Sequence, residues 1–289
     1  GTAEYLSVAY SHPLWLVRMW VAYYGYEEAE MICAFDNEAP DVTIRVNTLK
    51  TNRKELKELL EKAGVEVAEG RVSENALHLT KTADLSRLEA FQKGLFHVQD
   101  ESSQLAVRIL DPQKGETVLD LCAAPGGKSF AAAIRLGGKG RIVSSDIHEH
   151  KVPLMEKGAE RMGFANMHPR HFDATVFDPE LENKVDFALV DVPCFGYGII
   201  RKKPDIREKD PDTMKELPAL QLQILKNQAR YVRPGGVLIY STCTLVRREN
   251  EGVVEKFLKA NPEFSLEPVK LPAEFGENTT GMLTLVPGE

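Results

Sequence analysis

Asp120-Leu121-Cys122-Ala123-Ala124-Pro125-Gly126-Gly127-Lys128-Ser129 joins a short apolar stretch, Thr117 to Leu121, to a run of helix formers from Lys128 to Leu136. A strand, a glycine-rich turn and a helix in that order form a ligand cradle. The glycines admit a ligand close to the backbone, and the first N–H groups of the helix point at it. Two spellings of such a cradle can be excluded. A phosphate-binding P-loop needs Gly-x-x-x-x-Gly-Lys-Ser/Thr; Gly127, Lys128 and Ser129 fit, but Cys122 stands at the first glycine. The dinucleotide pattern Gly-x-Gly-x-x-Gly is absent as well. What remains is a turn for a nucleoside without a strong phosphate demand.

Outward from this turn the chain alternates strand and helix. Arg141 to Ser145, Met167 to His171, Val185 to Val190 and Val237 to Ser241 read as strands. Helices are expected from about Glu149 to Met162, from Thr213 to Val232 and from Asn250 to Ala260, with a turn at Arg233-Pro234-Gly235-Gly236 before the last strand. Short apolar strands separated by helices predict a mostly parallel, doubly wound sheet, a Rossmann-like α/β fold with ligands at the carboxyl ends of the strands. Upstream, Pro13 to Ala34 reads as one helix, Val42 to Asn47 as a strand, Asn52 as the cap of a helix to Lys62, and Val65 to Val67 and Ala76 to Leu79 as short strands. The chain is thus expected to divide into 1–103, a helix plus a smaller α/β subdomain, and 104–289.

Composition bounds the function. The 289 residues are 43% hydrophobic and 27% charged, which excludes a disordered or fibrous chain. The four Cys lie no closer than 49 residues apart, against a Cys-x-x-Cys zinc site or a disulfide framework, so no metal is expected. No apolar run is long enough to cross a membrane, and no leader is visible, so a cytoplasmic address without membrane contact is expected, and a monomer. The net charge of −7 requires any nucleic acid to be met by a local patch.

Three carboxylates and two thiols converge on the predicted crevice. Asp146 ends the second strand, Asp173 follows the third and Asp191 ends the fourth. Asp146 lies 20 residues after Gly126, where an acid can accept hydrogen bonds from ribose hydroxyls. A single strand-end Asp is as well explained as a cap, but three beside this turn favour a ligand. Cys194, in Asp191-Val192-Pro193-Cys194, and Cys243, in Ser241-Thr242-Cys243-Thr244, follow neighbouring strands and reach the same crevice, where a thiolate is a nucleophile. Cys33 reads as a small core hydrophobe, and Cys122 as a residue used through its backbone. Arg201, Lys202, Lys203 and Arg207, with Lys209, follow Cys194 and are candidate phosphate contacts, extended by Arg247 and Arg248.

The blocks Asp120 to Ser129, Asp191 to Cys194 and Ser241 to Thr244 resemble the signatures of the Sun/Fmu family of RNA cytosine-C5 methyltransferases. Gly198 to Arg207, Glu249-Asn250-Glu251 and Ser11-His12-Pro13-Leu14-Trp15-Leu16 extend the resemblance over nearly the whole chain, toward the bacterial branch that acts on 16S ribosomal RNA of the small subunit. The resemblance implies a class I methyltransferase fold for 104–289 and S-adenosylmethionine as cofactor. It implies that Cys122, Ala123, Ala124, Pro125, Gly126, Gly127 and Lys128 cradle the cofactor, that Asp146 holds its ribose, that Asp173 sits near its adenine, and that Asp191 lies between its methionine end and the target base. Cys243 becomes the nucleophile and Cys194 the residue that helps release the product. Methylation of transfer RNA, a non-catalytic assembly factor that binds cofactor and RNA, and a small-molecule methyltransferase are the alternatives. Two departures stand out. Phe195 occupies a position usually small and is expected to crowd or stack on the base, and Val192 replaces a common Ala. A helical domain usually precedes Ser11 and a final strand usually follows Pro287; neither is present, so 104–289 is expected to lack its last strand.

Overall fold

The structure is a computed structural model describing residues 1–81, 84–269, 271, 276 and 278–288. Its elements run α1 (Ala3–Ala9), α2 (Leu14–Tyr24), α3 (Tyr26–Phe35), β1 (Val42–Val46), α4 (Arg53–Lys62), β2 (Glu66–Glu69), β3 (Ala76–Lys81), α5 (Glu89–Gln92), β4 (Phe96–Val98) and α6 (Glu101–Leu110). The second half continues as β5 (Thr117–Asp120), α7 (Gly127–Arg135), β6 (Arg141–Asp146), α8 (Val152–Met162), β7 (Arg170–His171), β8 (Val185–Asp191), α9 (Leu217–Tyr231), β9 (Val232–Ser241) and α10 (Glu251–Ala260).

Two sheets result. The first, in the order β2-β3-β1-β4, is antiparallel throughout. The second, in the order β7-β6-β5-β8-β9, is parallel throughout. Strand order reverses between β5 and β8, and that switch point opens a crevice at the carboxyl ends of the strands. This is the doubly wound sheet with a smaller α/β unit that the alternation predicts. One face of the parallel sheet is covered by α6, α7 and α8 through Leu110, Phe130, Ile134 and Met155; the other by α9 and α10 through Ile224, Leu225, Val253 and Phe257.

Local chemistry explains most boundaries. The Asn52 side chain accepts the Glu55 N–H at 3.0 Å and starts α4, whose Leu56 and Leu60 are buried. Three expectations need correction. The predicted helix from Pro13 to Ala34 is two helices, because Gly25 takes φ +94 and breaks the run. The third strand is shortened to Arg170–His171, with Met167 joined to Ile142 by a single bridge. Strand β9 runs through the predicted turn. The register jumps from Val185↔Val232 to Phe187↔Val237, so Arg233 to Gly236 form a bulge where Pro234 needs no ladder hydrogen bond.

The two sheets are stitched together by polar side chains. Asn47, fully buried, donates to Gly94 O at 2.9 Å and to Met162 O at 3.0 Å. Lys50 Nζ donates to Lys93 O and Arg161 O, both at 2.9 Å, and Arg161 reaches back to Phe91 O and Phe96 O. Helices α1 to α3 share a separate apolar cluster with the segment after Cys194, including Trp20, Ile32, Phe195, Tyr197 and Ile200.

Candidate active site

A cavity of about 720 Å³ lies at the carboxyl ends of the parallel strands, and Asp146, Asp173, Asp191, Lys128, Cys194 and Cys243 all line it. The chain leaving β5 turns at once against the end of β6. Ala123 N–H donates to Ser145 O at 2.8 Å, and Ala124 N–H to Asp146 Oδ2 at 3.2 Å. Gly126 takes φ +109, and a Cβ there would stand 2.6 Å from the Phe130 ring, so the turn demands glycine twice over. Of the predicted cradle, Cys122, Ala124 and Lys128 line the cavity, while Ala123, Pro125, Gly126 and Gly127 shape the turn without lining it.

Each acid has a different setting. Asp146 is nearly buried and accepts the His148 N–H at 2.9 Å as well as that of Ala124. Asp173 accepts the Thr175 N–H at 2.8 Å and its hydroxyl at 2.7 Å. Asp191 binds Lys128 Nζ at 2.7 Å through Oδ2 and accepts the Ser241 hydroxyl at 2.6 Å through Oδ1. Burial opposes the charge on Lys128, but Asp191 outweighs it and holds the ammonium above its ordinary range. Beneath them Asp120, 1% exposed, accepts the Ser129 hydroxyl at 2.8 Å; burial raises its carboxyl to about 7.

The last ladder pair of β8 and β9 is Asp191↔Ser241, so Cys194 and Cys243 leave adjacent strands side by side. Their sulfurs are 3.0 Å apart, and the Cys243 N–H donates to Cys194 Sγ at 3.2 Å. The hydrogen bond from the Cys194 thiol, reinforced by the charges of Lys128 and Lys203, pulls Cys243 below the ordinary thiol range. The same bond, followed by burial, pushes Cys194 up. The pair therefore favours the proton on Cys194 and thiolate character on Cys243. Cys122 is raised by burial and by Asp120, and stays a thiol. Cys33, buried in the helical cluster, is raised to about 12 by burial.

The charged loop divides. Arg201 lies over the Phe35 ring, bonds Ala39 O and faces Glu38 and Asp41. Arg207 donates to Asp36 O at 3.0 Å and to Asn37 Oδ1 at 2.7 Å. Lys202 pairs with Asp100, and Arg247 with Tyr23 O. Lys203 lines the cavity, exposed and without such a partner. Phe195 corrects a sequence expectation. It is 4% exposed, packs on Tyr197 at 4.7 Å between ring centres, and does not line the cavity. Its apolar ring is drawn into the cluster of α1 to α3 rather than toward a base.

Sequence reasoning passed over other cavity residues. Ser102, Ser103 and Ile109 enter from α6, and Met282 to Leu285 from the far C-terminal segment. They carry no motif; only the fold brings them there. Among the described residues no helix is long and apolar enough to cross a membrane, and no group of three His, Cys, Asp or Glu could hold a metal ion.

Residues 107–289 match the family described as 16S rRNA methyltransferase RsmB/F, and residues 12–86 match the ferredoxin-like domain described for the same proteins. A probable ribosomal RNA small subunit methyltransferase B of Bacillus subtilis is 44% identical over 261 residues, covering 90% of this chain and 58% of that protein. Its counterpart in Synechocystis is 36% identical, covering 98% and 65%. The chain thus spans about three fifths of the length of these curated relatives. The crystal structure of PH0851 superposes with a TM-score of 0.89 at 36% identity, over 94% of this chain and 62% of that one. A methyltransferase homolog from Pyrococcus horikoshii gives 0.79 at 28% identity, over 92% and 84%. NSun6 from the same organism, solved with SFG, shares the fold at 24% identity and a TM-score of 0.80, over 89% of each chain. The match across most of the parallel-sheet half, together with the relatives' identities, shows that this chain belongs to the RsmB/F family of 16S rRNA methyltransferases.

Proposed function

We propose that this chain uses S-adenosylmethionine to methylate carbon 5 of a cytosine in small-subunit ribosomal RNA, through a transient bond from Cys243 Sγ to carbon 6 of the base. The observation that carries the proposal is the Cys194–Cys243 sulfur pair, 3.0 Å apart, beside the Lys128–Asp191 ion pair in a cavity that also holds Asp146 and Asp173. The residues fit the cofactor: the Gly126 turn brings backbone to the cavity rim, and two strand-end carboxylates face it. Asp146 would hold the ribose, Asp173 would lie near the adenine, and Cys122, Ala124 and Lys128 would line the same end. The cofactor supplies an electrophilic methyl group when bound.

The chain's own residues account for the rest. Carbon 5 of cytosine is a poor nucleophile, and a sulfur on carbon 6 makes it enamine-like. Cys243 attacks as the thiolate, the form that the hydrogen bond from Cys194 favours. Asp191, held by Lys128 and Ser241, accepts from the base edge and favours its protonated, electrophilic form. Once the Cys243 charge is consumed in the S–C bond, the main cause that keeps Cys194 protonated is gone. Cys194 then releases its proton to solvent water, and its thiolate, directly or through water, takes the carbon 5 proton; the electron pair of that C–H bond restores the ring double bond and expels Cys243 as thiolate. The base must be unpaired or flipped to enter. The relatives' names favour ribosomal over transfer RNA.

The test is trapping. RNA carrying 5-fluorocytosine should form a covalent adduct with the wild type and cofactor and none with Cys243→Ala; Cys194→Ala should accumulate adduct on ordinary RNA. Full methyl transfer by Cys243→Ala would overturn the mechanism.

A further inference from the structure

We infer that Glu249 and Asn250, adjacent residues at the entry to α10, act as one positioning element that sets the two cysteines in register. The inference deepens the proposed mechanism and rests on it for its functional consequence. Its structural content does not.

Asn250 grips both flanks of one cysteine directly; Glu249 grips one flank of the other directly and the second through Gln221. Asn250 Oδ1 accepts the Thr242 hydroxyl at 2.6 Å, and Asn250 Nδ2 donates to Thr244 O at 2.9 Å. Those are the residues on either side of Cys243. Glu249 Oε2 accepts the Phe195 N–H at 3.1 Å and a Gln221 Nε2 hydrogen at 2.8 Å, and Gln221 Nε2 also donates to Pro193 O at 2.9 Å. Those bonds hold the residues on either side of Cys194. Glu249 is 1% exposed and Gln221 is fully buried; Asn250 reaches the cavity wall with its amide already spent. The Tyr240 hydroxyl fixes the backbone of the pair by donating to Glu249 O at 2.5 Å.

The need for such a clamp follows from the sheet. Beyond Asp191↔Ser241 the ladder stops, and the backbone bonds that still join the two loops are Val192 N–H to Ser241 O at 3.2 Å and Gly198 N–H to Cys243 O at 2.9 Å. Both cysteine loops then pack into the apolar cluster of α1 to α3, through Phe195 and Tyr197 from one and Leu245 and Val246 from the other, before the second runs on into α10. Directional ties to the flanking residues fix where along their loops the two sulfurs sit, 3.0 Å apart. Glu249 takes its carboxyl away from water to make them, and burial pushes that carboxyl above its ordinary range.

The first readout needs no RNA. Cys243 is labelled with iodoacetamide across pH 5 to 9 in the full chain and quantified by peptide mass spectrometry. Asn250→Ala and Glu249→Leu should each lower the labelling rate at pH 7 about tenfold, as the thiolate loses its donor. Glu249→Gln, which keeps an acceptor for Phe195 N–H, should restore it to within about threefold. Unchanged profiles in the first two variants, or an equal loss in Glu249→Gln and Glu249→Leu, overturn the inference. If Glu249→Leu does not fold, Gln221→Met removes the tie to Pro193 at nearly constant volume and must slow labelling, or the inference fails. The second readout uses RNA. Glu249→Leu should accumulate covalent adduct as a Cys194 variant does, and Asn250→Ala should not. A wild type that forms no adduct would refute the proposed mechanism and leave the labelling result to decide the clamp.

Discussion

Raising the pH from 5 to 8 should weaken the fold, and Asp120 is the group responsible. Its carboxyl is buried against the sheet with one oxygen on the Ser129 hydroxyl and the other, Oδ1, unpartnered. Burial raises it from its ordinary 3.8 to about 7, with Asp191 adding to the rise. The folded chain therefore keeps a proton that the unfolded chain releases. Stability from this group is complete below pH 3.8 and is lost as the pH climbs through about 7. Each pH unit in that window removes about 1.4 kcal/mol, and the whole window on the order of 4 kcal/mol. Urea denaturation followed by circular dichroism at pH 5, 6, 7 and 8 measures the slope. Other groups titrate too, so the difference from Asp120→Asn isolates this one. That variant keeps an oxygen for Ser129 and should lose the slope. Parallel curves for wild type and Asp120→Asn would refute the reasoning.

Phe195→Ala should destabilise the chain by about 3–5 kcal/mol, because it empties a packed position beside Tyr197; RNA affinity, measured where the variant is folded, should stay within about twofold, which a base-stacking role would not allow. Lys203→Ala should reduce the salt dependence of RNA binding by about 0.7 in the log–log slope. Arg207→Ala should leave that slope unchanged and lower the melting temperature instead, since its guanidinium is committed to Asp36 O and Asn37.

The parts legible in the sequence are those where local chemistry and function coincide. The turn from Cys122 to Lys128, the strand-end acids and the two cysteine blocks each announce themselves by residue type at a strand boundary. Asn52 announces its helix by capping. The remainder depends on distant packing. A single glycine, Gly25, splits an apolar run that reads as one helix, since periodicity alone cannot show which way φ will go. Strand β4, Phe96–Val98, is three residues long and exists by pairing with β1 across fifty residues of chain. Charge alone does not show that a basic loop beside a crevice turns the Arg201 and Arg207 guanidinium groups toward α3 and the residues that follow it. Phe195 misleads, because only the placement of α1 to α3 decides which side of the loop is oily. The Glu249-Asn250-Glu251 motif was visible as spelling, but its hydrogen bonds to two separate loops require the sheet to exist first.

The seams through Asn47, Lys50 and Arg161 carry a thermodynamic consequence. Two sheets with separate oily interiors would ordinarily melt as two bodies, one before the other. Here the last turn of α8 supplies acceptors to Asn47 and Lys50 and a guanidinium to Phe91 O and Phe96 O, and the buried Asn47 amide, just past β1, spans both. Opening either body alone strands those polar groups without partners at the shared face, at a penalty that falls on the other body as well. Heat should therefore take the whole chain apart in one cooperative step, and the smaller sheet behaves as a fixed wall of the larger one rather than as a swinging appendage.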